Sequence, residues 1–280
     1  MQRRGLCKIF VSLGLWCLSC ALGDETRERH GFLWLVGLEV SGFGHSAGSA
    51  RIDSVISGLY VNGEYIYHDI WKIGGETVLG GGGALRYSGE NLPIITTPNT
   101  EPTRKGSALL AFNNTFKFGY NLHAKAQRWD FPLYLNIVWR SDQLLAGQGE
   151  GVFSTILYSQ SFYLELEART RIASKTHLEY SAGAGYTMGY ADFLHISDEK
   201  AYRTRFKEGG LYLGGHLGVA YDVRDDVYFF TRLHARYYDL GESSSVLVPA
   251  AGDNKLTTDA NVYYPKNSTY YVGVQFGFGF

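Results

Sequence analysis

The last eleven residues of the chain alternate large apolar side chains with glycine or glutamine, and the chain ends on an aromatic residue. Successive side chains of a β-strand point to opposite faces, so this alternation predicts a strand with one apolar face and one nearly bare face. The apolar face would hold Tyr270, Val272, Val274, Phe276, Phe278 and Phe280. Such a face needs a second sheet or lipid to cover it, which favours a sandwich or a transmembrane barrel.

This segment resembles the closing strand of Gram-negative outer-membrane β-barrels. In that family the terminal Phe completes the signal that the barrel-assembly machinery recognises. The resemblance therefore implies that the six apolar residues from Tyr270 to Phe280 act as a membrane-insertion signal. It also implies an all-β, antiparallel up-and-down barrel in the outer membrane, surrounded by outer-membrane lipids and lipopolysaccharide. The resemblance covers residues 270–280 only.

The first 23 residues have the order of an export signal. Basic residues precede an apolar run from Ile9 to Leu22, and small residues at Ala21 and Gly23 suit a signal peptidase; the basic residues are Arg3, Arg4 and Lys8. We expect cleavage after Gly23. The mature chain would then be one domain, residues 24–280, with no internal repeat or linker.

All three cysteines of the chain lie in this leader, at Cys7, Cys17 and Cys20. A lipoprotein signal at Cys20 is the alternative, but Cys17 stands where such signals have an aliphatic residue. After export the chain would hold no thiol, which excludes a disulfide framework, a zinc–cysteine cluster and a cysteine nucleophile.

Composition separates a barrel from a helical membrane protein. Mean hydropathy is −0.14, and no run after Leu22 reaches the ~18 apolar residues of a spanning helix. A barrel escapes this limit because only alternate residues meet lipid. The 21 Tyr, 16 Phe and 35 Gly also suit strands, and several Tyr and Trp near strand ends would suit aromatic girdles. A net charge of −1 and a pI near 6.7 argue against a nucleic-acid partner.

The same alternation recurs along the chain and predicts about ten strands, with eight or twelve as alternatives. The clearest are Phe32–Phe43, Leu110–Leu122, Trp129–Arg140, Ile156–Ala168, Leu178–Tyr190, Leu211–Tyr221 and Val227–Leu240. Pro132 predicts a local bulge. Phe131 is predicted to face outward with its strand neighbours.

Short and long connections are predicted to alternate, as bacterial barrels require. The predicted short turns lie near Gly74 to Thr77, His123 to Arg128, Thr170 to Lys175 and Val223 to Asp226. The predicted outer loops are Gly44 to Glu64, Ser88 to Ser107, Ser141 to Val152, Asp192 to Glu208 and Gly241 to Ser268. Asn62-Gly63 favours a type I′ hairpin, which we place in the first outer loop rather than in the barrel wall.

Charged residues occupy the opposite, inward parity of these strands. They are Glu39, Lys117, Asp130, Arg140, Glu165, Glu167, Glu179, Arg232, His234 and Arg236. A ten-stranded lumen is narrow, so we predict that these groups pair across it and form a plug. The alternative is a thin solvated pore whose acidic and basic sides act on small solutes.

Catalytic patterns are weak. Outer-membrane hydrolases of about this size place His with acidic residues or Ser at the rim, and His68-Asp69, His45-Ser46 and His195 near Asp192 and Asp198 do not reproduce those motifs. We predict no catalytic residue, no metal site and no cofactor. The function expected is therefore that of a narrow or plugged channel or structural barrel. The alternatives are an adhesin that binds host ligands through its long loops and, third, a hydrolase.

Overall fold

A computed structural model of the chain describes residues 31–90, 92–95, 108–124, 131–146, 153–195, 200–224, 227–250, 256 and 258–280. No helix in these ranges is long and apolar enough to cross a membrane. The strands are β1 (Gly31–Ala47), β2 (Ala50–Tyr67), β3 (Trp71–Ser88), β4 (Ile94–Ile95), β5 (Ala108–Asn121), β6 (Leu133–Ala146), β7 (Phe153–Ala173), β8 (Thr176–His195), β9 (Ala201–Arg205), β10 (Gly210–Arg224), β11 (Val227–Leu240), β12 (Val246–Val248), β13 (Ala260–Tyr263) and β14 (Asn267–Gly279).

Ten of these strands close into an antiparallel barrel in the order β1-β2-β3-β5-β6-β7-β8-β10-β11-β14. The last strand pairs with the first, from Leu35 opposite Gly279 to Ala47 opposite Asn267. The predicted fold class and strand number are confirmed. β9 pairs with the upper end of β8, above the part of β8 that pairs with β10. β4, β12 and β13 form a separate three-stranded sheet.

The two ends of the barrel differ. We call the end that holds Gly31 and Gly279 the lower end and the opposite end the upper end. Lower connections include the turns after Tyr67 and after Ala173, whereas most upper connections are long and contain β4, β9, β12 and β13. The shortest upper connection is Gly48-Ser49, a two-residue turn between β1 and β2, where Gly48 has a φ of 58°.

Side-chain parity decides which residues line the barrel and which cover it. Along the long strands, exposed apolar residues alternate with buried ones, so the outer wall carries an apolar surface around most of the barrel. We call this surface the belt; it includes Val36, Leu59, Ile73, Phe116, Ile137, Leu164, Leu217, Leu233 and Val272. The six apolar residues of the terminal segment lie in this outer face, and Phe280 extends the ladder through hydrogen bonds with Trp34. Their role in insertion stays a prediction.

Glycines on the inner face bring the first and last strands together. Gly37 of β1 lies opposite Gly277 of β14. A Cβ added at Gly37 would lie 2.2 Å from the carbonyl oxygen of Phe276, closer than any real contact. The inward face of β14 is therefore nearly bare because β1 and β14 approach each other closely where the barrel closes.

The predicted hairpin at Asn62-Gly63 is wrong. Both residues lie inside β2, and the predicted turn at Gly74 to Thr77 lies inside β3. The lower turn instead uses His68 and Asp69, whose φ angles are 48° and 53°. A type I′ turn needs two residues with positive φ, and His and Asp tolerate that conformation better than most residues. The predicted loop from Gly44 to Glu64 is therefore mostly barrel wall.

Other boundaries also shift. β6 begins at Leu133, so Pro132 precedes the strand instead of causing a bulge within it, and Phe131 is buried rather than outward. Trp129 and Asp130 lie outside the described residues. Strands also extend into predicted connections, as β6 does to Ala146 and β7 to Ala173.

Candidate functional site in the barrel lumen

The lower half of the lumen holds a network of ion pairs that joins opposite walls. Lys72 Nζ from β3 lies 2.6 Å from Glu167 Oε2 of β7, and Lys117 Nζ from β5 lies 3.0 Å from the same oxygen. Lys117 also lies 2.5 Å from Glu64 Oε1 of β2. Asn136 donates from Nδ2 to both Glu165 and Glu167, at 3.0 and 2.9 Å. Two lysines and three carboxylates thus share one buried cluster.

Arg232 extends this network across the remaining width of the lumen. Its Nε donates to Glu179 Oε2 of β8 at 2.8 Å, and its Nη1 donates to the Tyr60 hydroxyl of β2 at 3.1 Å. Arg169 lies 3.5 Å from Glu179 and 4.4 Å from the centre of the Tyr228 ring. We call the cluster around Lys72 and Lys117 and the cluster around Arg232 together the lower ionic layer.

A second set of ion pairs lies nearer the upper end. Glu39 Oε1 accepts from Ser41 at 2.8 Å and from Arg236 at 3.1 Å, and Glu39 Oε2 accepts from Gln275 at 2.8 Å. His234 lies 3.5 Å from the same carboxylate. On the facing wall Arg140 pairs with Asp142 at 2.9 Å and reaches Glu76 at 3.5 Å. These two clusters form the upper ionic layer.

Nine of the ten charged residues predicted for the lumen lie among the described residues, and the structure brings them into these layers. Glu39, His234 and Arg236 share one cluster, Lys117, Glu165 and Glu167 a second, Glu179 and Arg232 a third, and Arg140 a fourth. Asp130 lies outside the described residues. Sequence reasoning missed several partners on the same layers, namely Tyr60, Glu64, Lys72, Glu76 and Asp142.

Above the ionic layers the lumen is apolar. Inward side chains from the upper strand ends meet buried residues of the upper connections in one cluster. The barrel contributes Phe43, Ile52, Ile56, Leu109, Leu144, Phe153, Leu157, Phe193, Tyr212, Tyr238 and Tyr271, and the connections contribute Leu92, Phe206, Val248, Leu256, Val262 and Tyr264. We call this cluster, with the β12-β13-β4 sheet, the apolar cap. It was not predicted from the sequence.

Tyr264 fixes the cap to the barrel. Its hydroxyl lies 2.7 Å from His45 Nε2, and His45 Nδ1 lies 2.8 Å from Thr269 Oγ1. Its backbone N–H donates to Ser243 Oγ at 2.8 Å. Burial raises the pKa of the Tyr264 phenol well above its usual value, so the hydroxyl stays protonated in its hydrogen bond with His45.

A cavity of about 40 Å³ lies in the lower half of the lumen, lined by groups that include Glu64, Lys72, Glu167, Arg169 and Arg232. That volume is enough for one or a few water molecules, since a cavity needs only about 10–15 Å³ to hold one. Charged walls of both signs would bind water rather than an apolar ligand.

The residues considered for rim catalysis are separated or engaged elsewhere. His68 and Asp69 form the lower turn, whereas His45 is buried beneath the cap. Asp192 lies at the upper end and accepts from Arg203 Nε at 2.7 Å, which raises the pKa of that guanidinium. Asp198 lies outside the described residues, as does the His195 side chain. The described residues hold no group of three or more His, Cys, Asp or Glu that could bind a metal.

Comparison with known proteins gives a likeness of fold. No protein-family model matches the chain, and no curated protein matches it in sequence. Among solved structures, the outer membrane protease OmpT from Escherichia coli is similar with a TM-score of 0.54 and 10% identity, over 92% of this chain and 99% of that one. The translocator domain of the autotransporter NalP from Neisseria meningitidis gives 0.44 at 11% identity, over 95% of each chain. The OmpT comparison supports the barrel fold.

Proposed function

We propose that this chain is an integral outer-membrane barrel whose lumen is closed, so that it acts as a structural or plugged barrel rather than as an open channel. The observation that carries this proposal is the filling of the lumen by two ionic layers and the apolar cap. The lower ionic layer joins facing walls, the two clusters of the upper layer lie on facing walls above it, and the cap covers the upper mouth. A solute would have to displace buried ion pairs and buried aromatic side chains to pass.

The outer surface supports the membrane position. A soluble protein rarely exposes a continuous apolar surface, whereas a transmembrane barrel requires one about 25 Å tall. Aromatic residues flank the belt, as they do at membrane interfaces. Trp71 stacks near Phe118 and Tyr120 toward the lower end, and Tyr158 stacks on Tyr190 toward the upper end. The predicted export signal and terminal aromatic residue agree with an outer-membrane location.

Adhesion through the upper end is the second candidate. The observation that favours it is that the cap carries an ordered sheet, in which Val262 of β13 pairs with both Val246 of β12 and Ile95 of β4. A sheet anchored to the barrel through Tyr264 and His45 offers a fixed surface on which outer loops could bind a host ligand. Replacing residues 249–259, between β12 and β13, by a Gly-Ser linker should then abolish cell binding without unfolding the barrel.

Planar-bilayer recording of the refolded protein tests the proposed closed lumen. We expect no stepwise current from the unmodified protein, because the layers leave no continuous water path. The protein must be shown to be inserted, for example by protection of the barrel from protease in vesicles. Regular single-channel steps from inserted, unmodified protein would contradict the closed lumen and favour the pore alternative.

A further inference from the structure

A row of polar side chains interrupts the belt on one side of the barrel. Thr77 of β3 lies opposite Asn114 of β5, Asn114 lies opposite Ser141 of β6, and Ser141 lies opposite Gln160 of β7. All four have the outward parity of their strands. We call Thr77, Asn114, Ser141 and Gln160, with Gly75 beside them, the polar patch.

Asn114 lies deep in the belt rather than at its edge. Along β5 the outward positions on one side of it are Leu110 and Phe112, and those on the other side are Phe116 and Phe118, all exposed apolar residues. Thr77 is likewise flanked by exposed Leu79 on one side. At this depth lipid tails offer no hydrogen-bond partner, so a carboxamide there is costly unless another protein group meets it.

The hydrogen bonds that Asn114 makes within the described ranges do not use all of the donor and acceptor capacity of its carboxamide. The Thr77 hydroxyl donates to Asn114 Oδ1 at 2.9 Å. Within the described ranges no acceptor is recorded for Asn114 Nδ2, which can donate two hydrogen bonds. The oxygen can accept a second one. The same carboxamide therefore presents both a donor and an acceptor to the outside.

We propose that a second copy of this chain docks on the polar patch within the membrane. A soluble partner does not reach this depth, and two barrels inserted the same way can be related by a two-fold axis along the membrane normal. With Asn114 near that axis, each Nδ2 donates to the Oδ1 of the other copy. Gly75, Thr77 and Ser141 carry small or no side chains, which lets the two walls approach closely, as small residues do between membrane segments.

This inference rests on the proposed membrane position of the belt, and the test separates the two. Cys7, Cys17 and Cys20 are replaced by serine, and one cysteine is introduced either at Phe116, beside the patch, or at Leu233 of β11, which lies five strands away around the ring. Each protein is inserted into phosphatidylcholine vesicles that contain no other protein and treated with a short bis-maleimide. We expect Phe116→Cys to give a dimer band at least about fivefold stronger than Leu233→Cys.

A third variant shows whether the patch itself is responsible. Phe116→Cys combined with Asn114→Leu keeps the reporter thiol and the barrel surface but removes the carboxamide, and the dimer band should fall to the Leu233→Cys level. Equal crosslinking at both reporters, or an unchanged band after Asn114→Leu, would overturn the proposed interface. Dimers seen only in cells and not in these vesicles would also overturn it, because contact between the two copies would then depend on another cell component.

A fluorophore on Leu233→Cys in the same vesicles reports on the membrane position. Quenching by brominated lipid without patch-specific crosslinking would reject the dimer and leave the proposed function intact. Absence of quenching would reject the membrane position on which both depend.

Discussion

Replacing Glu167 with glutamine is expected to lower the free energy of unfolding by about 3–5 kcal/mol, because it removes the carboxylate shared by two buried lysines. Lys72 and Lys117 both contact Glu167 Oε2, and Lys72 is 2% exposed. Among the described residues, the ion-pair partner left to Lys72 after the substitution is Glu64, at 3.9 Å. Urea unfolding of the protein in lipid vesicles, followed by tryptophan fluorescence, measures the change.

The matched control is Glu242→Gln. Glu242 pairs with Lys207 at 3.0 Å, but both side chains are at least half exposed. Exposed pairs contribute about 0.2–1 kcal/mol, so this variant should unfold nearly as the parent does. Similar losses in the two variants would show that the lower ionic layer is solvated, which contradicts the closed lumen.

Opening the lumen is expected to require damage to the cap and to the ionic layers together, because the two seals lie in series. Leu240 of β11 lies opposite Asn267 of β14, so residues 241–266 can be replaced by a linker of about four residues. Removing Arg232 with Glu179 and Arg236 with Glu39, all as alanine, clears a path along β11. Arg169 loses Glu179 in this variant but keeps Asp222 at 3.8 Å. Only the protein with both changes should give stepwise current in a planar bilayer.

The two partial variants serve as controls for each other. The protein without residues 241–266 and the protein with the four alanine substitutions should each insert into the bilayer and give no stepwise current. The heat-dependent shift of folded barrels on gels checks that each variant is folded. Current from the cap deletion alone would show that the ionic layers do not seal the lumen, and silence of the combined variant would show that a further barrier exists.

Strand parity made most of the barrel predictable. In β7, Phe162, Leu164 and Leu166 face outward while Glu165 and Glu167 face the lumen, as their alternation indicates. The even strand number follows from the same pattern. The partners of each charge were not predictable, because contacts such as Arg232 with Tyr60 join β11 to β2 across the lumen and depend on the closed shape.

The hairpin error explains part of what the sequence reasoning missed in the lumen. Asn62-Gly63 carries a strong local turn signal, yet Asn62 is buried and bonds to Glu64 within β2. Pairing of β2 with strands on both sides therefore outweighs the local preference. Because Gly44 to Glu64 was predicted as a loop and Gly74 to Thr77 as a turn, Glu64 and Glu76 were not predicted as lumen residues.

The sequence carries a signal for the apolar cap. Near the upper ends of the strands, large apolar residues occupy inward-facing positions, as Phe43 does in β1 and Phe153 and Leu157 do in β7. This placement means that the lumen itself has an apolar core at that level. The contribution of Leu256, Val262 and Tyr264 depends on how a long connection folds back, which strand periodicity does not report.

Depth-dependent quenching tests most directly whether the belt faces hydrocarbon. A fluorophore is attached to Ile137→Cys, at a position where the native side chain is 65% exposed, and to Arg51→Cys at the upper rim, each in a background without the three leader cysteines. In vesicles, brominated acyl chains should quench the label at position 137 while iodide does not, and the label at position 51 should show the opposite response. Iodide quenching at both positions, or a folded protein that stays in solution without lipid or detergent, would contradict a transmembrane barrel.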